Sequence, residues 1–81
     1  MRKNILITGG AGNIGGSLSR ELVRRGYFVT IIDNLTTGSL KKLPLKKFKN
    51  WEFIKKDVNN CNLNKIIKKK IDYIFHYAAV V

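Results

Sequence analysis

Residues 4–15 read Asn-Ile-Leu-Ile-Thr-Gly-Gly-Ala-Gly-Asn-Ile-Gly. Asn4 to Thr8 is a short apolar run closed by Gly9-Gly10, which predicts a strand buried on both faces, as parallel sheets require. Past the glycines, Ile14, Leu18 and Leu22 recur at helical spacing, while Ser17, Arg20, Glu21, Arg24 and Arg25 take the solvent side. The spacing predicts a helix with Ile14, Leu18 and Leu22 as its apolar stripe. Gly26 stops it, after two arginines placed where the carboxyl end of a helix dipole favours positive charge.

Working outward, Tyr27 to Ile32 is aromatic and β-branched throughout, so a second strand is expected there, ending at Asp33. A helix joins the two strands, which makes them parallel with a right-handed crossover. Asn34 to Asn50 carries Thr36-Thr37-Gly38, a charged stretch and Pro44, and reads as a loop with one helical turn near Ser39 to Leu43. Trp51 to Ile54 makes a third strand, followed by Asp57. Asn60 or Asn62 can cap a short helix with Leu63, Ile66 and Ile67 inward, ended by Lys68 to Lys70. Tyr73 to Tyr77 is then a fourth buried strand. The expected architecture is α/β, a partial Rossmann-type doubly wound parallel sheet of strand order 3-2-1-4. The order reverses between strands one and four, and ligands of such sheets bind in that crevice, at the carboxyl ends of the strands.

The glycine loop fits that crevice. Gly10, Gly12 and Gly15 satisfy G-x-G-x-x-G, and Gly9, Gly12 and Gly15 satisfy the related T-G-x-x-G-x-x-G. The match follows an expected strand and opens an expected helix, the context that gives it meaning. Glycine serves a tight turn off the strand, close backbone approach to a pyrophosphate, and close packing of helix on strand. The free amides of the first helical turn, those of Asn13 and Ile14 foremost, then face the phosphates. Asp33 closes the second strand near the offset of about 20 residues expected of an acidic ribose reader. Its carboxylate accepts hydrogen bonds from ribose hydroxyls and repels a 2′-phosphate, which favours NAD over NADP. Lys41 and Lys42 downstream would soften that repulsion.

Composition bounds the alternatives. A chain of 81 residues holds one small domain, and 44% apolar residues with a single proline are those of a globular sequence. Such a chain buries about 60–65% of its unfolded surface, so independent stability is thin. There is no run of about 18 apolar residues, and the apolar stretch after Met1-Arg2-Lys3 is too short for a secretory signal, so a cytoplasmic protein is expected. Cys61 has no cysteine to pair with and no metal-binding cluster around it. The net charge of +11 raises nucleic acid or an anionic membrane as partners. The lysines, however, are dispersed as Lys41-Lys42, Lys46-Lys47-Lys49, Lys55-Lys56 and Lys68-Lys69-Lys70, with few aromatics between them. A solvated surface is the expectation, with no membrane partner.

Four signatures together resemble the extended short-chain dehydrogenase/reductase family, in particular its nucleotide-sugar epimerases, dehydratases and decarboxylases. They are Thr8 to Gly15, Asp33-Asn34-Leu35 with Thr37-Gly38, Asp57-Val58, and His76-Tyr77-Ala78-Ala79. The resemblance implies that Asp57 bonds the adenine amino group and that the Val58 backbone meets the ring edge. It places Tyr77, Ala78 and Ala79 on the ribose and nicotinamide side, with Asn34 and Leu35 beside Asp33. His76 reads as a packed strand-end residue rather than a catalyst. Asn13 departs from the family's usual aromatic, which alters packing more than affinity because the phosphate contacts there are made by backbone.

The family's chemistry resembles hydride transfer assisted by a Tyr-x-x-x-Lys pair. Four residues after Tyr27, Tyr73 and Tyr77 stand Ile31, Tyr77 and Val81, so no tyrosine has its lysine. No catalytic and no metal-binding residue is assigned. The expectation is an amino-terminal portion that holds NAD, with catalytic and sugar-binding parts elsewhere and an unfinished sheet edge available for association. A non-catalytic NAD-binding or sensing module is the alternative, and a basic nucleic-acid-binding protein a more distant one.

Overall fold

The run at residues 4–8 forms strand β1 (Asn4–Thr8), with Ile5 to Thr8 all buried. The computed structural model describes residues 3–9, 13–34, 41, 43–44, 46–56 and 70–77. Helix α1 (Asn13–Arg24) follows, then β2 (Phe28–Asp33), β3 (Trp51–Lys55) and β4 (Tyr73–His76). All three strand pairings are parallel and the order is β3-β2-β1-β4, as the sequence pattern predicts. Asp33 ends β2 as expected, whereas Tyr27 lies outside the strand, β3 runs on to Lys55, and β4 stops at His76. The expected short helix after Asp57 lies outside the described residues.

Alternation along the strands sorts the side chains into two faces. Ile5, Ile7, Val29 and Ile31 cluster with Val23 of α1, and Leu18, Leu22, Trp51, Phe53 and Phe75 pack against them. Each such side chain, fully buried, contributes about 1.5–3 kcal/mol of transfer free energy. Leu6, Thr8, Thr30 and Ile32 alternate with them, point to the other face and are buried as well. The two inner strands are therefore closed on both sides.

The sequence placed the helix face one residue away from its true position. Ile14 is 68% exposed, whereas Gly15, Gly16, Ser19 and Val23 are buried and Leu18 and Leu22 half-buried. The smallest side chains face the sheet, which lets the helix backbone come close. Ser19, whose Oγ donates to the Gly15 carbonyl at 2.7 Å, adds no unsatisfied polar group. The apolar period put Ile14 in the stripe because it cannot see that glycines and a serine suit that contact better.

β4 also departs from its expected burial. Its pattern is largely exposed, with Ile74 at 63% and Tyr73 at 54%. An edge strand has a neighbour on one side only, and an apolar run alone does not tell an edge from a centre.

Polar groups finish the end of the sheet where the strands begin. The Gly26 amide donates to the Val23 carbonyl and the Tyr27 amide to that of Leu22, each at 3.1 Å, the two bonds of a Schellman turn. Gly26 supplies the positive φ of 96° that this turn needs. Asn50, buried at the entry to β3, donates through Nδ2 to the carbonyls of Val23 (2.9 Å) and Tyr27 (2.6 Å). Asp72 Oδ2 accepts the Asn4 amide at 2.8 Å, and Asn4 Nδ2 donates to the Lys70 carbonyl at 2.9 Å.

Candidate dinucleotide site

The opposite end of the sheet is built differently. Gly9 leaves β1 with φ at 74°, a left-handed conformation that costs a residue with a Cβ about 1–2 kcal/mol. Its amide donates to the Ile32 carbonyl at 2.7 Å, so the chain turns away from β1 while tied across the end of β2. Four residues on, α1 starts at Asn13 with no acidic side chain in its first turn. The first amides of a helix have no partner within it, and together with the positive end of the dipole they suit an anion.

Asp33 lies at the end of β2 on the face that α1 covers, and is only 9% exposed. Its carbonyl accepts the Lys56 amide at 3.2 Å. Lys55 of β3 stands opposite Asp33 in the parallel register and so shares its face. Lys55 is thus a basic neighbour in addition to the expected Lys41, which is exposed, and Lys42, which lies outside the described residues. The register that reveals it belongs to a strand pairing, which no local pattern in the sequence supplies. Asn34 follows Asp33 and is exposed.

On the other flank, the Tyr77 amide donates to the Thr8 carbonyl at 2.8 Å. The chain therefore leaves β4 beside the exit of β1, where the strand order reverses. Thr8 Oγ1 meets His76 Nδ1 at 2.5 Å. The structure brings Gly9, Asn13, Ile14, Gly15, Asp33, Asn34 and Tyr77 to this one end of the sheet. Gly12, Leu35, Asp57, Val58, Ala78 and Ala79 lie outside the described residues. Among the described residues no group of three or more His, Cys, Asp or Glu is arranged to hold a metal ion. No helix among them is long and apolar enough to cross a membrane.

Residues 5–81 match the sequence profile of the NAD dependent epimerase/dehydratase family. The chain belongs to that family.

Individual members of the epimerase/dehydratase family agree. The UDP-N-acetyl-alpha-D-glucosaminuronate decarboxylase of Bacillus cytotoxicus is 40% identical over 81 residues, covering 100% of this chain and 25% of its own length. The UDP-N-acetylglucosamine 4-epimerase of Methanobrevibacter ruminantium, solved with UDP-N-acetylmuramic acid, superposes with a TM-score of 0.85 at 42% identity, over 98% of this chain and 25% of that one. The Bordetella bronchiseptica enzyme WbmH, solved with NAD+, gives 0.88 at 31% identity, over 100% of this chain and 27% of that one. The chain spans about a quarter of the length of these relatives. Its parallel sheet is the Rossmann-type sheet of these structures.

Proposed function

We propose that this chain is the NAD-binding portion of a nucleotide-sugar epimerase or dehydratase, of the UDP- or dTDP-sugar 4-epimerase kind, and that residues 1–81 alone bind cofactor without turning over sugar. The observation that carries the reading is the arrangement at the carboxyl ends of the strands. Gly9 at positive φ leads into the acid-free start of α1, and the Asp33 carboxylate stands at the end of the neighbouring strand.

These residues fit a dinucleotide. The backbone of Gly9, Gly12, Asn13, Ile14 and Gly15 would hold the pyrophosphate, and Asp33 with Asn34 and Leu35 the adenosine ribose. Asp57 and Val58 would meet the adenine, and Tyr77, Ala78 and Ala79 the nicotinamide side. Bound NAD supplies a hydride acceptor, and the chain's own part is to grip and orient it. Family membership and a neighbour solved with NAD+ support the cofactor. Relatives named for UDP-sugars support the substrate class. With no Tyr-x-x-x-Lys in the sequence, acid–base assistance to hydride transfer has no candidate within residues 1–81.

Isothermal titration calorimetry of the chain with NAD tests the reading, with saturable heat at a stoichiometry of one expected. Absence of heat at millimolar NAD would refute it. Conversion of UDP-glucose or UDP-galactose by the purified chain would overturn the claim that it is inactive alone.

A further inference from the structure

On a face whose one other buried hydroxyl among the described residues of β1 and β2 is that of Thr30, bonded to Glu52, Thr8 is buried beside the apolar Leu6 and Ile32. Packing alone would be served as well by valine. A buried hydroxyl needs a partner, and this one has it in His76 Nδ1, in register across the β1–β4 pair. By strand alternation the two side chains lie on the face away from α1 and Asp33. Each directly precedes a residue that lines the carboxyl end of the sheet, Thr8 before Gly9 and His76 before Tyr77.

Among the described residues, β4 is held by its pairing with β1 and by Phe75 packed against the core, while Tyr73 and Ile74 are largely exposed, so the bonds at its two ends carry much of its placement. Where β4 begins, Asp72, Asn4 and the Lys70 carbonyl fix it. Where it ends, the ties are the Tyr77 amide on the Thr8 carbonyl and the Thr8–His76 side-chain bond.

We propose that Thr8 and His76 are positioning residues whose side-chain bond latches the carboxyl end of β4 to β1, and thereby sets the width of the crevice in which the dinucleotide lies. The part that concerns affinity rests on the NAD reading above, while the latch itself does not.

His76 is the single histidine of the chain, so its ring signals in a long-range proton–nitrogen spectrum need no assignment. In Thr8→Val, which keeps the shape and loses the hydroxyl, the Nδ1 signal moves to that of a solvent-exposed imidazole. The Tyr77 amide exchanges faster, and the NAD dissociation constant rises roughly three- to tenfold, the worth of one hydrogen bond. Thr8→Ser restores all three. His76→Asn, which carries a polar atom at the position of Nδ1, behaves as the parent does, and His76→Gln, whose polar atoms reach the position of Nε2, behaves as Thr8→Val. Because the His76 ring is exposed, water satisfies it once released, and the His76 pair gives the answer even where Thr8→Val fails to fold.

Identical ring signals in parent and Thr8→Val would overturn the latch. Altered ring signals with unchanged NAD affinity and unchanged Tyr77 exchange would overturn the positioning role. A parent chain that binds no NAD refutes the cofactor reading, and Tyr77 exchange then decides the latch.

Discussion

The two ends of the sheet are built on opposite terms. Where the strands begin, polar groups are met from within: Asn50 spans the Val23 and Tyr27 carbonyls, Gly26 closes α1, and Asn4 and Asp72 join β1 to β4. Where the strands end, the chain turns through a left-handed glycine into a helix start with no acidic side chain. At the first end side chains and the helix cap close the sheet; at the other, backbone bonds and the Thr8–His76 pair hold the strands, and the start of α1 is where the proposed pyrophosphate would lie. The same helix serves both, since α1 presents its amino terminus to one end and its Schellman turn to the other.

Substitutions that act at one end and not the other test this division. Asp33→Ala has the largest expected effect, a loss of NAD affinity of about 10- to 100-fold, because hydrogen bonds to a charged group contribute about 1.5–3 kcal/mol. Affinity for NADP rises in the same variant as like-charge repulsion goes, helped by Lys55 in register beside it. Calorimetry with both dinucleotides reads the two changes, and equal NAD binding by parent and variant would remove Asp33 from the site.

Asn50→Ala should cost about 1–3 kcal/mol, since the Tyr27 carbonyl loses its side-chain donor and the Val23 carbonyl is left with the Gly26 amide alone. The melting temperature then falls by about 4–8 °C per kcal/mol, as expected for 60–100 residues. NAD affinity measured well below the melting point stays as in the parent. Gly26→Ala acts at the same end and costs about 1–2 kcal/mol from the left-handed backbone alone, because a Cβ there meets nothing within 4 Å. Thermal unfolding checks both, and a change in NAD affinity in either would show that the two ends are not separable.

Glu21→Gln is the smallest. Side-chain hydrogen bonds from Arg24 and then Arg25 lower the Glu21 carboxyl from 4.5 to about 2. The three groups lie on the surface at the carboxyl end of α1, where such pairs add little. A carboxyl lowered in the folded state contributes fully above its ordinary value and loses that contribution as pH falls through the folded one. The small difference in melting temperature between parent and Glu21→Gln should therefore be present at neutral pH and fade between pH 4.5 and 2. A difference independent of pH would mean that charge is not its source.

Local chemistry made the first half of the fold legible. The apolar run at residues 4–8, the turn at Gly9, the arginines before Gly26 and the β-branched run after it each name their own conformation, and the strand order follows from the crossover rule. The offset from the glycines singles out Asp33, and the structure places it at the end of β2. What escaped are contacts between residues far apart in the chain. Asn50 reads as the end of a polar loop, and only the folded chain sets it beneath the end of α1. Lys55 becomes a neighbour of Asp33 only through the register of β2 with β3. Ile14 was assigned inward because periodicity counts apolar residues, whereas the sheet here selects the smallest ones.

β1 has one partner close in sequence and one far away. It pairs with β2 across a single helix, and with β4 through residues as distant as Thr8 and His76, 68 positions apart. Joining the ends of a loop of that length costs more chain entropy than joining those of a short one, and pairings between distant residues slow folding. The β1–α1–β2 unit therefore has the means to assemble first, with β4 closing onto it at the end. Opening should follow the reverse path, and amide exchange would then show β4 released while β1 and β2 are still joined.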